Sequence, residues 1–188
     1  GPLGRMPEQG MAFFIEAVES VTDLPLLIDT SNPYAMRAGL EAAKNQAIIN
    51  GFSLEPRKLE KILPLAREFD ADIVGFLLYP DSRVPQDAAG RFEISLDLFE
   101  RAEAAGVAKE RVIIDPVVPP LVWENGIVQA RAVVEVIRIL PELLGFPVRT
   151  IGGISNLTSG AGERKKRILV EQAYVSMLAG AGLSYALL

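Results

Sequence analysis

Leu24-Pro25-Leu26-Leu27-Ile28-Asp29 is a short apolar run ending on a carboxylate, and Gln46-Ala47-Ile48-Ile49-Asn50 is a second run ending on an amide. Between them Asn32-Pro33 opens a helix over about 33–43, with Asn32 a good N-cap and Pro33 suited to the first helical position. Met36, Leu40 and Ala43 form its apolar stripe. Strand, helix, strand in this order is one βαβ unit, and strands apolar from end to end are buried on both faces.

The same alternation continues toward the C-terminus. A helix is expected over about 55–69, where Leu59, Ile62, Leu63, Ala66 and Phe69 recur at three and four residues. Asp72–Leu78 reads as a third strand, and Pro80–Gln86 as a polar loop. The long helix that follows turns Ile94, Leu98, Ala102 and Ala105 inward. Arg111–Pro116 is a fourth strand, again with an Asp (Asp115) at its end. Ile127–Leu144 is a helix with Val133, Val134, Ile137 and Leu140 as its core face. Pro147–Ile154 is a fifth strand, running into a loop at Ser155–Gly160. Glu163–Ala181 is helical, and Leu183–Leu188 is a sixth strand.

Strands separated by helices build a parallel sheet, either doubly wound or closed as a (β/α) barrel. No G-x-G-x-x-G follows the first strand, which disfavours a dinucleotide-binding fold. Polar residues sit instead at the C-terminal ends of nearly every strand, where a barrel enzyme carries its active site. The expected fold is therefore α/β, of the TIM (β/α)8-barrel type. A full barrel takes about 250 residues and eight strands. This chain has 188 residues, enough for about six βα units in one domain spanning 1–188.

Composition narrows the chemistry. The chain is 49% hydrophobic, which supplies ample core, and carries 19 Lys and Arg against 24 Asp and Glu for a net charge of −5. That balance argues against a nucleic-acid partner, which wants a basic face. There is no Cys and no His. Disulfides, thiolate nucleophiles, Ser-His-Asp triads and the commonest metal ligands are thereby excluded, and no protein-bound metal is expected. No apolar run reaches the length of a membrane span and no signal peptide is visible, so a cytoplasmic location away from membranes is expected.

Four strand-end positions stand out: Asp29, Asn50, Asp115 and Asn156. On adjacent staves their side chains converge on one mouth. Two carboxylates and two amides offer acceptors and donors but no strong base, which suits a flat neutral heterocycle such as a pterin or purine. A carboxylate accepts a bidentate pair from a 2-amino-pyrimidinone edge, and Asn both donates and accepts. Each position has a plainer account as well, since Asp or Asn after a strand often caps the next helix and Asp115-Pro116 is a common turn opener. Gly152-Gly153 permits close backbone approach to a ligand or a tight barrel corner. Arg164-Lys165-Lys166-Arg167 is the one basic cluster, either a solvated helix face or a grip for a carboxylate tail or an acidic partner surface. Trp123, the sole Trp, lies in the loop after Asp115 and is expected to pack there, with stacking on a ring at the mouth as the alternative. Met36 and Met177 are expected in the core.

In order, Leu27-Ile28-Asp29-Thr30-Ser31-Asn32-Pro33, Asn45–Asn50, Ile113-Ile114-Asp115-Pro116 and Gly153-Ile154-Ser155-Asn156-Leu157-Thr158 resemble the pterin-binding family over about residues 1–188. The resemblance is strongest to its methyltetrahydrofolate:corrinoid methyltransferase branch, to which the folate domain of cobalamin-dependent methionine synthase is related. It implies a (β/α)8 barrel whose mouth binds the pterin. Asp29, Asn50 and Asp115 fall at pterin-anchoring positions, with Asn32 and Ser155 in the same wall. Asn156 falls at the position of the Asn that hydrogen-bonds near N5 and is the implied catalytic residue. Arg164 or Arg167 is the implied contact for a tail or partner. Methyltetrahydrofolate is then the methyl donor, and a Co(I) corrinoid (cobalamin) on a separate corrinoid protein is the acceptor. Such a catalyst needs no Cys, His or metal of its own.

The resemblance also places the first strand here at the family's third, so the first two strands and the last helix are expected to be missing. Gly1-Pro2 aligns just after the family's second strand, which favours N-terminal truncation over a protease scar. Three alternatives stand beside the main reading: a pterin-binding module without turnover, a dihydropteroate-synthase-like enzyme, and a tetrahydromethanopterin-using methyltransferase. The synthase usually carries a Lys where this chain has Ser155-Asn156-Leu157. A homodimer stays open.

Overall fold

The computed structural model describes residues 6–188; Gly1-Pro2, on which the truncation reading turns, lies outside them. Six strands run β1 (Leu26–Asp29), β2 (Ala47–Phe52), β3 (Asp72–Phe76), β4 (Val112–Asp115), β5 (Arg149–Gly153) and β6 (Tyr185–Leu187). All neighbours are parallel and the order in the sheet is the order in the chain. The helices are α1 (Pro7–Glu19), α2 (Pro33–Ala42), α3 (Pro56–Lys61), α4 (Leu63–Glu68), α5 (Ala88–Ala104), α6 (Gly126–Leu144) and α7 (Arg164–Ala181). The result is a curled six-stranded half-barrel, as the alternation predicts.

Period-two alternation sorts each strand into two faces. Ile28, Ile49, Ile73, Val112 and Ile114 point outward and pack with Met36, Leu40, Leu98, Val136 and Leu140 of the helices. Leu27, Ile48, Val74, Phe76, Ile113 and Ile151 form a second cluster with no helical member, which is the lining of the concave face. A third cluster, including Val118, Val133, Leu157 and Leu178, seals α6 and α7 against the β5 end of the sheet.

The N-terminal ends of the strands are tied by one carboxylate. Asp72 is buried (2% exposed). It accepts from Gln46 Nε2 (2.9 Å), Arg149 Nη1 (2.6 Å) and Arg111 Nη1 (3.4 Å), joining the starts of β2, β3, β4 and β5.

The structure differs from the expectations at five points. The helix over 55–69 is two helices, α3 and α4, broken at Ile62, because Pro64 has no N–H to continue the ladder and fits only a new first turn. Helix α1 was not anticipated: Met6 gives it no side-chain cap and Gly10 interrupts its pattern, but Ile15 is buried in the core. Met177 is 54% exposed, since α7 buries only Tyr174 and Leu178. The loop after β5 begins as a 3-10 helix, Ile154–Thr158. Trp123 is half exposed rather than packed.

Candidate functional site

Pairing register brings the predicted residues together. Asp29 lies beside Asn50 across the β1–β2 pair, and Asp115 lies beside Phe76 across the β3–β4 pair. Asp29, Asn50 and Asp115 each stand two residues beyond a concave-face residue (Leu27, Ile48, Ile113), so all three share that face at the C-terminal ends of their strands. Asp29 is exposed and Asn50 half-buried. After Asn50 the chain presses against β3: a Cβ at Gly51 would stand 2.2 Å from the Val74 carbonyl oxygen, so only glycine fits.

Asp115 is the buried member, at 8% exposed. Its Oδ1 accepts from the Val117 N–H at 2.8 Å, and its carbonyl accepts from the Leu77 N–H at 2.9 Å, fixing the corner to the end of β3. Burial pushes its carboxyl up to about 7, and the Val117 hydrogen bond opposes that rise. It sits at the boundary between acid and anion at neutral pH. Val117 is held at φ +62, a left-handed conformation costly for a β-branched residue.

Asn156 is exposed in the 3-10 turn after β5. Gly153 makes room for its amide, since a Cβ there would come within 3.0 Å of Asn156 Nδ2. Ser155, next to it, is exposed. The Leu121 N–H donates to the Leu157 carbonyl (2.9 Å), tying this turn to the loop that follows Asp115.

Asn32 is placed differently. Its Oδ1 accepts from the Tyr34 (2.9 Å) and Ala35 (3.3 Å) N–H groups and caps α2, as its position before Pro33 suggests. Arg164 is exposed in the first turn of α7. Arg167 is half-buried there and donates from Nε to Thr158 Oγ1 (3.2 Å), which fixes it to the turn that carries Asn156.

Sequence reasoning missed Arg91. On α5 it reads as an ordinary solvated charge, yet it is fully buried. Its Nε donates to the Pro116 carbonyl (2.9 Å) and its Nη1 to the Asp87 carbonyl (3.0 Å). Burial lowers it to about 10, which leaves it protonated at neutral pH.

The family model described as pterin binding enzyme matches residues 7–187. The chain belongs to the pterin-binding enzyme family. A curated relative, the methylcorrinoid:tetrahydrofolate methyltransferase of Eubacterium limosum, is 25% identical over 192 residues, covering 98% of this chain and 68% of its own. Among solved structures of the same fold is a dihydropteroate synthase of Xanthomonas albilineans with 4-aminobenzoic acid (TM-score 0.64, 23% identity, 93% of this chain and 63% of that one). Another is a dihydropteroate synthase of Coxiella burnetii in complex with pteroic acid (TM-score 0.64, 16% identity, 94% and 65%). The chain thus spans under two thirds of the length of these two dihydropteroate synthases. No helix among the described residues is long and apolar enough to cross a membrane.

Proposed function

We propose that this chain binds a reduced folate-type pterin at the concave mouth and takes part in methyl transfer between its N5 and a corrinoid carried by a partner protein. The observation that carries the reading is the Asp29–Asn50–Asp115 set on one face, with Asn156 on the adjoining turn instead of a Lys. Ionised Asp115 would accept from the 2-amino-pyrimidinone edge, and Asn50 and Asp29 would complete the polar frame. The methyltransferase relative supports this branch by its name.

Within this reading the corrinoid supplies the nucleophile, and the chain acts on the nitrogen. As the N5–methyl bond breaks, its electron pair stays on N5, a poor leaving group unless it gains a proton or a stronger hydrogen bond. A preorganised amide at Asn156 strengthens its bond as that charge develops and does not itself ionise. Arg164-Lys165-Lys166-Arg167 sets four cations at the N-terminus of α7, against the helix dipole, an arrangement that an anionic tail or an acidic partner surface would relieve.

Calorimetric titration with methyltetrahydrofolate, followed by methyl-transfer assay with a Co(I) corrinoid protein, tests the proposal. Asn156→Ala should slow transfer at least about tenfold while the folate Kd moves less than about threefold. Unchanged transfer would remove Asn156 from the mechanism. Binding without transfer by the wild-type chain would favour a pterin-binding module.

A further inference from the structure

We propose that Arg91 is the positioning residue of the site, acting on Asp115 through the single peptide unit between Pro116 and Val117. The two ends of that peptide are gripped by different groups. Its carbonyl accepts from Arg91 Nε at 2.9 Å, and its N–H donates to Asp115 Oδ1 at 2.8 Å. Both contacts depend on the orientation of one plane, so the arginine sets where the carboxylate's hydrogen-bond donor points. A cation on the carbonyl also polarises the peptide and strengthens its N–H as a donor. Asp115 then has one oxygen committed to the protein and the other left for the mouth.

Two features argue that this is more than packing. Arg91 is fully buried, both of its hydrogen-bonded partners are backbone carbonyls, and its Nη2 makes no hydrogen bond among the described residues. A buried cation held that way is costly to retain. Val117, whose N–H completes the link, sits in the left-handed region. A β-branched residue keeps that conformation only when its surroundings over-determine it, and the arginine is the group that holds the peptide before it. The other titratable groups around the clamp are Asp87 at the head of α5, Tyr79 on the β3 loop and Tyr174 on α7; all three act on Arg91. The Asp87 carboxylate is engaged with the Gly90 N–H (2.9 Å) and the Tyr174 hydroxyl with the Ala130 carbonyl (2.8 Å).

The importance of this clamp for ligand binding rests on the pterin reading, but the coupling to Asp115 does not. The decisive readout is the titration of Asp115 in the unliganded chain, followed by carbon-13 NMR of its side-chain carboxyl. In Arg91→Met the midpoint should rise by about one unit, which cuts the ionised fraction at pH 7 about fivefold. Arg91→Lys, which keeps the charge, should stay within a few tenths of a unit of wild type. A purely structural arginine would lower the melting temperature of Arg91→Met and leave the midpoint in place, and that result overturns the proposal. Should Arg91→Met fail to fold, Arg91→Gln and Arg91→Lys decide: the neutral side chain must give the higher midpoint, and equal midpoints reject the coupling. Fluorescence titration with free pterin runs alongside. Absence of pterin binding by wild type would overturn the functional reading alone, because the Asp115 midpoints stand without it.

Discussion

Asp115 faces opposite demands from folding and from ligand. Its carboxyl is raised from 3.8 to about 7 by burial, so the native state holds a proton that the unfolded chain has released. Stability from this group is therefore present at low pH and falls as pH climbs from about 4 to about 7. On the proposed reading, binding of a 2-amino-pyrimidinone edge would need the anion, and so would strengthen over the upper part of the same range. Asp115→Asn should abolish pterin affinity while raising stability at pH 8 relative to wild type, by up to about 4 kcal/mol. Urea unfolding at pH 5 and pH 8 checks this, the gap between the two proteins widening at the higher pH. Asp115 was legible in the sequence because it closes an apolar strand. Arg91 was not, since nothing along the chain marks which helical arginine will have a β-corner folded over it.

At the scale of elements, the strand positions were readable from their apolar runs, and α2 from Asn32-Pro33. That same pair shows where such reading ends, because a cap and a ligand contact have the same residue preferences. With its Oδ1 bonded to two backbone N–H groups of α2, Asn32 belongs first to the helix. Asn32→Ala should cost about 1 kcal/mol of stability and Asn32→Asp much less, with pterin affinity changing less than about threefold in both. A larger loss of affinity in the folded Asp variant would return Asn32 to the pterin wall. The split of α3 from α4 was encoded at Pro64, but the apolar periodicity runs straight across it. Helix α1 lacked a capping signal, and its place is set by packing against α2 rather than by local preference.

Over the whole molecule, the two ends of the barrel staves have different tasks. The C-terminal ends carry Asp29, Asn50 and Asp115, whereas the N-terminal ends carry Asp72 and its arginines. The second group was invisible in sequence, since Gln46, Asp72, Arg111 and Arg149 are far apart until the register aligns them. Asp72→Ala removes the buried acceptor shared by two arginines and should destabilise the fold by about 3 kcal/mol, measured by chemical denaturation. Asp72→Asn, which retains an acceptor, should cost less. The strand order carries a consequence for how the molecule is made. From β2 to β6, each strand pairs with the one translated just before it. Over these six strands a nascent chain can therefore lay down its sheet one βα unit at a time as it leaves the ribosome.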